Sequence, residues 1–173
     1  LFALSDRAIL IRTTTLVDIG YYSVAFAIAY PLSLVTETFV QIGFVEISGA
    51  SSDATSSSLI SRRFQMAQMV SVVAALLVLP LVNPIIKYGF GVEFSRATTV
   101  AQLLVVVMVL RGLSRTLEFG FRARDISWVT TLSSTLSLCC LVGLGKWLAP
   151  TGGVQSFALA LLCAEMLGLA IHI

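Results

Sequence analysis

Phe64–Ile86 reads FQMAQMVSVVAALLVLPLVNPII and holds no ionisable side chain in 23 residues. About 20 apolar residues, rising roughly 1.5 Å each along a helix, cross the hydrocarbon core of a bilayer. The pattern recurs outward from this stretch. Cysteine aside, Ile126–Gly145 has no ionisable group in 20 residues and Trp147–Ala164 has none in 18. Only 12% of the 173 residues are charged and 57% are hydrophobic. A soluble domain carries about twice that charged fraction. In lipid, backbone polar groups must be satisfied within the spanning segment, which a helix does. The sequence therefore predicts an all-α, polytopic membrane protein. Six spans are expected, at 1–16, 19–47, 64–88, 94–122, 126–148 and 154–173, forming a single helical lobe over 1–173. Neither end is polar, and the chain is expected to be a piece of a longer protein.

The formal charge of +2 says less than where the charges fall. Ala97–Leu110 is uncharged, and then Arg111, Arg115, Glu118 and Arg122 follow at spacings of four, three and four. On a helix these four share one face, while Leu110, Leu113, Leu117 and Phe119 keep the others apolar. A charge at the bilayer centre costs at least about 2.5–3.5 kcal/mol, so such a face turns to protein or a cavity. The alternative is a helix end whose arginines snorkel to lipid phosphates. That alternative suits Arg122 and Arg124 better than the deeper Arg111 and Arg115. Glu118 lies three residues from Arg115 and is placed to hold it.

Other intramembrane charges are few. Asp6 and Arg7 interrupt the first apolar segment, and read either as the lining of a cavity or as a pair satisfied inside the bundle. Glu37, one turn from Gln41, is the candidate for proton or cation coupling, against a plain hydrogen-bonded helix contact. Cys139, Cys140 and Cys163 lie in apolar runs and read as small packing residues. There is no CxxC, HExxH or histidine cluster, so no metal or other cofactor is expected. Lacking a basic stretch followed by a small-residue cleavage site, the sequence is not expected to carry a signal peptide.

Punctuation sets the rest. Asp18 is expected to cap the second helix, and Tyr21 and Tyr22 to anchor it at the interface. Pro31, Pro80 and Pro84 should kink their helices. Ser48–Ser61, SGASSDATSSSLIS, reads as a polar linker. Trp128 and Trp147 are spaced to meet both interfaces, and Pro150–Gly153 reads as a tight turn. Arg62, Arg63, Arg122 and Arg124 favour one side as cytoplasmic over the side holding Arg12, Lys87, Arg96 and Lys146.

DRAILI at 6–11, GYYSVAFAIAYPLSL at 20–34, PLVNPIIKYGFGVEFSRA at 80–97 and RARDIS at 122–127 follow one another in a telling order. Together they resemble the second, C-terminal lobe of polysaccharide flippases of the multidrug/oligosaccharidyl-lipid/polysaccharide exporter superfamily. The resemblance spans essentially the whole chain and rests on order and spacing. It implies two six-helix lobes around a cavity that alternates between two openings, in the cytoplasmic (inner) membrane. The implied partners are a lipid-linked oligosaccharide, membrane lipids and an N-terminal lobe of the same chain, with no nucleic acid. Substrate contacts carry over to Arg111 and Arg115, and more weakly to Asp6 and Arg7. The implied role is transport, not enzymatic. Alternatives are a cation-coupled multidrug exporter of the same superfamily, a membrane-embedded glycosyltransferase or polymerase, and a non-catalytic scaffold subunit.

Overall fold

The computed structural model describes residues 2–48, 53–123 and 127–172, and no strand occurs among them. Five helices carry the fold: α1 (Phe2–Thr13), α2 (Leu16–Ser48), α3 (Asp53–Ile85), α4 (Ala97–Ala123) and α5 (Ser127–His172). A π-helical turn, Ile86–Phe90, and a 3-10 turn, Val92–Arg96, join α3 to α4. Five stretches are long and apolar enough to cross a membrane: Leu16–Phe39, Gln65–Phe90, Val92–Phe119, Trp128–Leu148 and Gly152–Ile171. The sixth expected span, 1–16, is not among them, because the 12 residues of α1 rise only about 18 Å. The protein is thus a multi-pass membrane protein by the length and composition of its helices.

Helix α4 is the centre. It packs on α2, α3 and α5, and Ala97, Val100, Ala101, Leu104, Val105 and Met108 along it are buried. The uncharged run Ala97–Leu110 makes this possible, since a helix apolar all round must be enclosed. Tyr22, Ala25 and Ala29 of α2, Val82 of α3, and Phe157, Ala158 and Leu161 of α5 close on it. By contrast, Met69, Val72, Val73, Leu76 and Leu77 of α3 form an exposed apolar row, as a surface turned to lipid would.

Between helices in lipid there is no hydrophobic drive, so small residues and short polar contacts hold them. Thr36 Oγ1 and Ser71 Oγ meet at 2.7 Å and join α2 to α3. Ser133 Oγ donates to the Gly168 carbonyl at 3.0 Å. That last bond ties α5 to itself: Gly153, at φ 60 and ψ −146, breaks the helix, and the two arms fold back on each other. The expected turn at Pro150–Gly153 is therefore present as a break at a left-handed glycine.

Several local expectations are corrected. Asp18 is not the cap of α2. Thr15 precedes the helix, its Oγ1 lies 3.3 Å from the Asp18 backbone N–H, and it donates to Asp18 Oδ2 at 2.9 Å. Thr15 is thus the N-cap, and the acid at the third helical position accepts from its hydroxyl. Thr15→Ala is expected to lower stability by about 1 kcal/mol, read as a reduced thermal midpoint in detergent. Tyr22 is no interface anchor: it is buried, stacked near Phe26 and edge-on to Phe157. Tyr21 sits edge-on to Phe94 at 6.0 Å. Trp128 and Trp147 are both exposed, as anchors should be. The Ser-rich segment is not a linker beyond Asp53, because α3 begins there. Within it only Gly49 is strongly helix-averse, and Ala, Leu and Ile supply helix-compatible positions up to Arg62. Residues 49–52 lie outside the described residues. α2 continues through Pro31, and α3 through Pro80 and Pro84. The backbone loosens directly after Pro84, in the π turn.

A charged cleft between α4 and α5

Arg111, Arg115 and Glu118 of the α4 stripe face the bundle. Arg111 is only 11% exposed at its side chain, Glu118 13% and Arg115 40%. The side chain of Arg122 and all of Arg124 lie outside the described residues, as does the side chain of Arg7.

Arg111 is the hub. Its Nε donates to Glu165 Oε1 at 2.7 Å, and its Nη2 lies 2.7 Å from the same oxygen. Its Nη2 also lies 3.7 Å from Asp6 Oδ2. Three elements that are distant in sequence thus meet: α1 through Asp6, α4 through Arg111 and the second arm of α5 through Glu165. The Asp6 side chain is 1% exposed, and neither of its oxygens has a hydrogen-bond partner among the described residues. Removing a charge from water costs several kcal/mol unless it is paired. The three groups make that burial possible together, and none of them could be buried alone.

Arg115 differs. Its Nη1 reaches Glu118 Oε2 at 3.5 Å, the pairing expected from their spacing, and it is the more open of the two arginines. Beside it lies a small, open cleft lined by Arg111, Ser114, Arg115, Glu118, Ser133, Ser134, Ser137, Glu165 and Gly168. Ser114 Oγ is buried against it and makes no hydrogen bond with a described residue. The cleft therefore offers a partly exposed guanidinium, hydroxyl groups from two helices and a carboxylate. Such a surface suits an anionic or polyhydroxylated group.

Glu37 is half-buried on α2, apart from this cluster, and makes no ion pair with another described residue. Among the described residues no group of three or more His, Cys, Asp or Glu is placed to hold a metal ion. Cys139, Cys140 and Cys163 are free thiols.

Reading the sequence brought Asp6, Arg111, Arg115 and Glu118 forward, but it did not join Asp6 to Arg111 and gave Glu165 no role. A signal for Glu165 exists: it is the only Asp, Glu, Lys or Arg between Trp147 and Ile171. A lone acid in a span needs a partner, and the deepest arginine of the chain is the natural one. The serines of TLSSTLSL at 131–138 carry no such signal, because serine is common in membrane helices for packing alone.

Comparison with protein-family models, with curated proteins and with solved structures finds no match.

Proposed function

We propose that this chain forms one lobe of a membrane exporter that flips a lipid-linked oligosaccharide across the cytoplasmic membrane by alternating access. The observation that carries the reading is the cleft between α4 and α5, with Arg115 partly exposed beside Glu118 and Ser114 Oγ without a hydrogen-bond partner among the described residues. A charged, hydroxyl-lined recess on a helix that otherwise belongs to the apolar core has a structural cost, and a polar, anionic substrate group exchanging for Glu118 at the Arg115 fork would offset it. The diphosphate of a lipid carrier, or an acidic sugar, would accept from the Arg115 fork and from Ser114 Oγ. An N-terminal lobe would complete the cavity. Nothing in this role requires covalent chemistry. Arg111, held by Glu165, positions the cleft; Arg115 makes the contact.

In the full-length exporter, Arg115→Ala is expected to reduce translocation about 10- to 100-fold, the equivalent of one charge-assisted hydrogen bond of about 1.5–3 kcal/mol. Arg115→Lys should recover part of it, since it keeps the charge and loses the planar fork. Arg122→Ala and Arg124→Ala should change little. A flipping assay with fluorescent lipid-linked sugar in proteoliposomes measures all four. Equal, small effects at Arg115, Arg122 and Arg124 would retire the substrate site.

A further inference from the structure

We propose that Asp6 is a reversible proton-binding site whose protonation sets how firmly α1 is held to α4 and α5. The argument starts from charge. Around Arg111 stand two carboxylates, Asp6 and Glu165, against one guanidinium. With both acids ionised, these three described groups carry one net negative charge among side chains that are 1–12% exposed. The next charged groups along α4 do not correct this, since Arg115 is met by Glu118. From α2 the neighbouring titratable group is Tyr22, a buried phenol that brings no positive charge at neutral pH. A surplus negative charge in an apolar interior is relieved by taking up a proton.

Geometry selects which acid takes it. Glu165 is engaged directly: Arg111 Nε donates to its Oε1 at 2.7 Å, and Nη2 lies 2.7 Å from the same oxygen. Asp6 stands off at 3.7 Å with no hydrogen bond to either oxygen from another described residue, although it is the most buried of the three. The proton therefore goes to Asp6. A metal cation fits less well, because Arg111 already places a positive charge 3.7 Å from the carboxylate. Ionised, Asp6 is drawn to Arg111 and clamps α1 to the bundle. Protonated, it has no charge to bring, and α1 is held by apolar contacts such as Ile9 against Gly145. This inference stands apart from the flippase reading: it requires only the cluster.

The test is infrared spectroscopy of the full-length protein in lipid nanodiscs, with the side-chain carboxyl carbon of aspartate labelled. As pH falls from about 8 to about 5, the wild type should gain one protonated aspartic carboxyl, in a range where a solvated aspartate, ordinarily near 3.9, stays ionised. Asp6→Asn should abolish that signal. Glu165→Gln should abolish it too, because one carboxylate against one guanidinium leaves no surplus charge. Asp6→Glu should move the signal from labelled aspartate to labelled glutamate, which keeps the test decisive if Asp6→Asn does not fold. Absence of the signal in the wild type, or its survival in Asp6→Asn or in Glu165→Gln, would overturn the proposal.

Discussion

Arg111→Ala is expected to destabilise the folded protein by about 3–5 kcal/mol, the usual cost of removing one partner from a buried charge cluster. The resemblance read from the sequence makes Arg111 a substrate contact. Its position changes that expectation. Nε and Nη2 both engage Glu165 at 2.7 Å, and Asp6 lies 3.7 Å away. Truncation strands two carboxylates that are 1% and 12% exposed. Arg111→Lys should fall between, keeping the charge without the fork. The informative control removes all three charges. Asp6→Leu with Arg111→Met and Glu165→Leu should lie within about 1–2 kcal/mol of wild type or exceed it, because hydrophobic replacement of a whole buried ion cluster is often neutral or stabilising. Reversible unfolding in mixed micelles, followed by helix content, measures the series. A triple variant as unstable as Arg111→Ala would show that the three residues matter by shape and not by charge.

The helical class was legible because it depends on composition over long windows. A charge-free run such as Phe64–Ile86 has few structural options in lipid. The inward direction of the α4 stripe was legible for the same reason, since four charges on one face of an apolar helix must avoid hydrocarbon. The Arg115–Glu118 pair follows from spacing within one helix. What the sequence did not reveal is what depends on tertiary placement. The partner of Arg111 is 54 positions away in the chain, and no local rule connects Arg111 to Glu165. Tyr22 reads as an interface anchor from its place at a helix start. It is buried because α2 and the second arm of α5 meet there, with Phe157 against its ring. The Ser-rich segment reads as a linker from composition, but its residues after Asp53 lack Pro and Gly, and the helix continues through them.

Close helix approach was the other feature that pattern could not rank. Of the glycines in the helices, Gly112 on α4 and Gly143 on α5 look alike in sequence and differ in space. A Cβ on Gly112 would sit 2.7 Å from Thr36 Cγ2 and 3.1 Å from its Oγ1, while a Cβ on Gly143 would meet nothing within 4 Å. Thr36 cannot easily turn aside. It is β-branched and buried, and its hydroxyl meets Ser71 Oγ at 2.7 Å and donates to the Leu32 carbonyl at 3.2 Å. Alanine at a helical glycine gains about 1 kcal/mol in helix propensity, but overpacking costs about 1–3 kcal/mol. Gly143→Ala should therefore be neutral or stabilising by up to about 1 kcal/mol. Gly112→Val, with more volume and little propensity gain, should lose about 3 kcal/mol and separate α2 from α4. Thr36→Ala removes the clashing methyl and hydroxyl, and Ser71 keeps its bond to the Ala67 carbonyl at 2.7 Å. Thr36→Ala should thus rescue Gly112→Ala, with a coupling of about 0.5–3 kcal/mol in a double-mutant cycle. Additive effects of those two changes would mean that α2 and α4 do not meet at Gly112.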